Sequence, residues 1–122
     1  MVKEISIGTK RVTLEANAAT PIRYRNTFKK DLLTQISEGT RENGVDLSVA
    51  SEVAPELAYI MAKSAEKADM TKLNEESWLK WLEQFEPMDV VNATEDIFSV
   101  YFGDMQTEVE GKKKAPEEVK EN

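Results

Sequence analysis

Residues 4–15 alternate apolar and polar side chains on either side of a short turn, and this run constrains the fold more than any other part of the chain. Ile5 and Ile7 alternate with Glu4 and Ser6, Gly8-Thr9-Lys10 supplies the turn, and Val12 and Leu14 alternate with Arg11, Thr13 and Glu15. Period-two runs around a glycine-bearing turn predict a β-hairpin. Two strands alone are marginal in water, so the apolar face of the hairpin must lie on helices or its edge must pair with another strand. Most other apolar residues recur at helical spacing. The predicted fold is therefore α+β, mostly α, with an N-terminal hairpin packed on about four helices.

The first helix is predicted to begin at Thr20-Pro21, where threonine caps free backbone donors and proline gives up no hydrogen bond. Tyr24, Phe28, Leu32 and Ile36 follow at steps of four, Leu33 lies beside them, and Gly39 supplies a stop. Glu38 to Ser51 is polar with glycine breakers and reads mostly as loop. The second helix runs from Val49 or Pro55 to Ala68, with Val53, Leu57, Ile60, Met61 and Ser64 on one side. Its alanines, Ala58, Ala62 and Ala65, allow close approach of a neighbour and read as core packing rather than an oligomer contact. The third starts at Asn74 with two acids in its first turn, carries Trp78, Trp81, Leu82 and Phe85 on one stripe, and is ended by Pro87. The fourth, Asp89 to Met105, has Val90, Val91, Ile97, Phe98, Tyr101, Phe102 and Met105 on an arc of about 140° and is expected to be central. The predicted core is Phe28, Leu32, Ile36, Leu57, Ile60, Trp78, Leu82, Ile97, Phe98 and Tyr101.

At 122 residues the chain reads as one globular domain over residues 1–106. Thr107–Asn122 has five acids and four lysines with little to bury, and is expected to be a disordered charged tail. There is no cysteine and no histidine, so thiol chemistry and imidazole ligation are excluded and an intracellular setting is expected. The N-terminal residues contain no signal peptide, and no run is long and apolar enough to span a membrane. A net charge of −7 opposes binding to phosphate backbones. No nucleic-acid or membrane partner is expected.

The sequence contains no nucleophile–base pair, no glycine-rich phosphate loop and no dinucleotide spacing, so neither a catalytic residue nor a cofactor is expected. Glu75/Glu76, Glu86/Asp89 and Glu95/Asp96 read as a solvated acidic face rather than a metal site, because adjacent helical residues do not face each other. Asn92-Ala93-Thr94 matches a glycosylation acceptor but falls inside a predicted helix of a chain with no secretion signal.

Charge is unevenly distributed. Residues 1–41 hold eight Lys/Arg against four Asp/Glu, whereas residues 74–104 hold eight acids and only Lys80 as a base. Opposite poles steer association with partners or with copies of the same chain, and favour head-to-tail over two-fold contacts. Candidate partner-binding residues are Arg23 and Arg25 on the basic pole, Trp78, Trp81 and Phe85 on the aromatic stripe, and Tyr101, Phe102 and Met105 at the edge of the widest apolar face.

Several segments occur in a telling order: the hairpin, Thr20-Pro21-Ile22-Arg23-Tyr24-Arg25 running into Phe28-Lys29-Lys30-Asp31-Leu32-Leu33, then Leu57-Ala58-Tyr59-Ile60-Met61-Ala62, then Trp78-Leu79-Lys80-Trp81-Leu82-Glu83-Gln84-Phe85. Over about residues 1–105 the chain resembles the tail assembly chaperones of long-tailed, siphovirus-type phages and prophages of Gram-positive bacteria. The resemblance implies a non-catalytic, α-rich assembly factor. Such a protein keeps the long helical tape measure protein soluble, helps tail-tube protein polymerise around it, works in the host bacterial cytoplasm and is absent from the mature virion. It also implies a longer product made by programmed frameshifting, and a run of adenines is one way to encode Gly111-Lys112-Lys113-Lys114. Two other readings stay open from the residues: a structural head-tail connector or tail protein that adds strands at the hairpin edge, and an acidic regulatory or DNA-mimic module.

Overall fold

The computed structural model describes the backbone of residues 1–41, 44–45 and 49–112, and the side chains of residues 1–37 and 51–103. Strands β1 (Val2–Ile7) and β2 (Lys10–Glu15) form the predicted antiparallel hairpin, in the register Ile5↔Val12 and Ile7↔Lys10. Ile5, Ile7 and Leu14 point into the core, while Glu4, Ser6, Arg11 and Thr13 face solvent. Gly8 turns the chain at φ +64°, and a methyl group there would overlap the carboxylate of Asp89. Glycine is thus needed both for the turn and for the approach of the following helices.

The helical stripe from Tyr24 to Ile36 is divided between two helices, α1 (Thr20–Phe28) and α2 (Leu32–Gly39). Lys29 takes a left-handed conformation at φ 62° and closes α1 by donating its N–H to the Arg25 carbonyl at 2.8 Å. Asp31 then opens α2, its carboxylate accepting from the backbone N–H and the hydroxyl of Thr34 at 2.9 and 2.7 Å. The step-of-four spacing hid this break, since an apolar stripe is indifferent to a change of helix axis when both segments lie on the same core. The stretch read as loop contains two short paired strands, β3 (Thr40–Arg41) and β4 (Gly44–Val45).

A single wide π turn, Val49–Val53, leads into α3 (Ala54–Ala65). Pro55 accounts for the widening: it has no N–H to offer, and its ring crowds the carbonyl four residues back. α3 packs against β2, α1, the π turn and the three helices that follow it. From Val53 to Ala62 every residue is buried. The central helix is therefore α3 rather than the last one. Ala54, Ala58 and Ala62 are buried and let neighbours approach closely, in keeping with the core-packing reading of Ala58 and Ala62.

After a 3₁₀ turn over Met70–Lys72 capped by Asp69, Asn74 and Ser77 close a reciprocal capping box at the start of α4 (Glu75–Leu82). The predicted fourth helix is split into α5 (Asp89–Asn92) and α6 (Thr94–Lys112). At the break, the buried Thr94 returns its hydroxyl to the Val91 carbonyl at 2.7 Å. The Asn92-Ala93-Thr94 tripeptide thus sits at this junction. α6 runs past the predicted end at Met105 into the expected tail segment, while residues 113–122, including Lys113 and Lys114 of the lysine run, lie outside the described residues. No helix among the described residues is long and apolar enough to cross a membrane.

Of the predicted core, Leu32, Leu57, Ile60, Trp78 and Ile97 are buried. Phe28, Ile36, Leu82, Phe98 and Tyr101 pack on that core and are only partly buried.

Candidate functional site

α6 presents its apolar face unevenly. Ile97 and Val100 are fully inside, but Phe98, Tyr101 and Phe102 remain half-exposed, with Phe98 tilted against Phe102 at a ring-centroid distance of 6.4 Å and Tyr101 edge-on to Phe102 at 4.9 Å. Beside Tyr101 and Phe102 lies an open, largely apolar cleft of about 370 Å³. Its other walls are Met1, the small residues Ala16 and Ala18 after β2, Asn17, Pro21 at the start of α1, and Leu33 on the first turn of α2.

Local chemistry explains each wall. Ala16 ends the hairpin ladder by exchanging backbone bonds with Met1, Asn17 accepts from Ala19 N–H at 2.8 Å, and Thr20 accepts from Asn17 N–H at 2.9 Å. These short-range bonds turn the chain from strand to helix with little side-chain bulk, leaving room above Val100. The side chain of Met1 lies on Gly103, where a methyl group would come within 2.8 Å of its Cε. Leu33 lies about 100° round the helix from Leu32, off the Tyr24–Leu32 stripe, and is 56% exposed. Burial, reinforced by the negative charge of Asp31, pushes the Tyr101 phenol up and keeps it neutral. The cleft thus offers mostly apolar contact, with the Asp31 carboxylate close enough to act on Tyr101 at its edge.

The eight candidate contact residues separate into distinct places. Tyr101 and Phe102 line the apolar cleft. Trp81 is half-buried between Tyr59 and Phe85, at 5.5 and 5.1 Å. Trp78 belongs to the core: it is 8% exposed, its indole N–H donates to the Pro55 carbonyl at 3.2 Å and its ring meets Phe28 edge-on at 5.2 Å. It is therefore not free to meet a partner. Arg25 is exposed and Arg23 half-buried on α1, and neither makes an ion pair among the described residues. The Met105 side chain lies outside the described residues. Met1, Ala16, Ala18 and Pro21 carry no sequence signal for a site, whereas Leu33, an off-stripe leucine two residues after a capping Asp31, does.

A second polar constellation was not anticipated. Glu56, 3% exposed within α3, accepts from the Tyr24 hydroxyl at 2.5 Å and from Lys30 Nζ at 2.9 Å, and Lys30 also reaches Glu52 at 3.0 Å. Burial raises the Glu56 carboxyl, and burial together with the Glu56 hydrogen bond raises the Tyr24 phenol. Burial alone would lower Lys30, but its bonds to Glu56 and Glu52 outweigh that and raise it. Lys30, part of the basic pole in sequence, is thereby turned inward to tie the α1–α2 elbow to α3. The cluster is a structural clasp, with every member partnered.

Comparison with protein-family models, with curated proteins and with solved structures returned no match.

Proposed function

We propose that this chain is a phage tail assembly chaperone, and that its apolar cleft receives the apolar stripe of a helical segment of a tape measure protein. The observation that carries the reading is the cleft itself: Tyr101 and Phe102 beside an exposed Leu33, on a chain whose ordered segments resemble that family. Helix-in-groove recognition uses side chains at i, i+3 and i+4, and a cleft of this size accepts one or two of them. Burying one leucine-sized side chain yields about 1.5–3 kcal/mol. Association itself costs about 4 kcal/mol or more, so a single cleft holds its client weakly. Copies distributed along a long repetitive helix would shield it collectively and still release it as tail-tube protein assembles, which is what a chaperone absent from the mature virion requires. On this reading the protein acts in the host bacterial cytoplasm without catalysis, and a frameshifted longer product accompanies it.

The test is co-expression with a tape measure protein from a long-tailed phage of Gram-positive bacteria, scoring how much of that protein stays soluble. The wild-type chain should raise the soluble fraction severalfold, and a Leu33→Glu, Phe102→Glu variant that folds normally should not. Equal rescue by both chains would refute the role of the cleft, and rescue by neither would refute the chaperone reading.

A further inference from the structure

We propose that the outer edge of β2 is a second docking site, where an extended segment of a partner protein adds to the hairpin as a third strand. The pairing phase of the hairpin is the starting point. Met1 and Ala16 exchange both backbone bonds, with N···O distances of 2.6 and 2.8 Å. In an antiparallel ladder such bonded pairs recur at every second residue, so Lys3↔Leu14, Ile5↔Val12 and Ile7↔Lys10 are the remaining bonded pairs. Arg11, Thr13 and Glu15 therefore direct their N–H and C=O groups away from β1. Among the described residues, none of these six backbone groups has a hydrogen-bond partner.

This edge is not bare surface. Arg11, Val12 and Thr13 form one wall of a cleft of about 620 Å³, with Lys63, Trp81 and Gln84 among the residues opposite. It shares no lining residue with the apolar cleft. From Arg11 to Glu15 the edge is about 13 Å long, enough for four or five residues of added strand. Side chains of such a strand alternate between faces: those on the core side would meet Val12 and the half-buried Trp81 ring, and those on the other side would meet Arg11 and Thr13. The lining holds two cations, Arg11 and Lys63, against one acid, Glu66; Lys63 pairs with Glu66 at 3.2 Å and Arg11 with Glu4 at 3.1 Å, both in exposed pairs that an incoming carboxylate can exchange. The segment that fits alternates β-branched apolar residues with acidic or hydroxyl residues. A free strand suits the site better than the β2 edge of a second copy, since in that copy the same edge is faced by its own Lys63, Trp81 and Gln84.

Amide exchange of the full chain, read by NMR, tests this directly. The probe is an acetylated heptapeptide alternating valine with glutamate and threonine, alongside the same peptide N-methylated at alternate residues. Free protein should exchange the Arg11 and Thr13 amides quickly and those of Val12 and Leu14 slowly. Millimolar peptide should slow Arg11 and Thr13 by about tenfold or more, the N-methylated peptide should not, and Thr13→Pro, which removes one outward donor without touching the hairpin bonds, should abolish the effect. Unchanged exchange at Arg11 and Thr13, or equal protection by the N-methylated peptide, would overturn the proposal. Protection that grows with protein concentration alone would also overturn it, by assigning the edge to a second copy.

Discussion

From Val53 to Ala62 the central helix α3 is buried on every side, whereas along α6 Ile97 and Val100 are inside and Phe98, Tyr101 and Phe102 are left half-covered. α6 carries the larger apolar side chains, yet it is the peripheral helix. The difference lies in side-chain size. Alanines at 54, 58 and 62 bring neighbouring elements close enough to enclose α3, while the bulky rings along α6 are only half-covered by the described residues around them. One helix is thus enclosed along its whole buried stretch, and the other keeps part of its apolar face exposed among the described residues.

The contrast breaks most visibly under large-to-small substitution. Leu57→Ala or Ile60→Ala in α3 should cost about 2–5 kcal/mol in urea unfolding. Glu56→Ala should cost about 2–3 kcal/mol, because it strands the Tyr24 hydroxyl while Lys30, 27% exposed, can still turn towards water. Ala58→Leu, which overpacks the same helix, should cost about 1–3 kcal/mol. Phe102→Ala on α6 should cost less than about 1 kcal/mol. If Phe102→Ala matched Ile60→Ala in the same denaturant series, α6 would be core and the comparison would fail.

Proton linkage sharpens the same picture at the clasp. Tyr24 is raised above its ordinary value of 10.0 and Lys30 above 10.5. A group raised on folding contributes stability that is complete below its unfolded value and is lost as pH climbs towards the folded one. Stability should therefore fall above about pH 10. Tyr24→Phe should flatten part of that fall in an alkaline melting series. An unchanged alkaline slope in the variant would show that the phenol is not held by Glu56.

The hairpin was legible because period-two alternation and a glycine turn report on two strands that lie side by side, with no distant information needed. The cap at Asn74 is equally local. The α1–α2 elbow was not legible, since Tyr24, Phe28, Leu32 and Ile36 read as one stripe whether or not Lys29 interrupts them. The centrality of α3 escaped for a related reason: periodicity identifies which face is apolar, but enclosure depends on how near the neighbours come. At the candidate site, Tyr101 and Phe102 were visible as the edge of a face too wide for one contact. Their cleft partners Met1, Ala16 and Pro21 come from sequence positions far from α6, and only the fold brings them together.

The most direct test of the division between an enclosed α3 and an open α6 is an amide-exchange footprint of the full chain mixed with a helical tape measure fragment. The expected footprint covers Leu33 and residues 100–103, with exchange from Val53 to Ala62 unchanged. A footprint confined to Arg11 and Thr13, or one that opens α3 while sparing Leu33 and Phe102, would contradict the assignment of the apolar cleft as the client site.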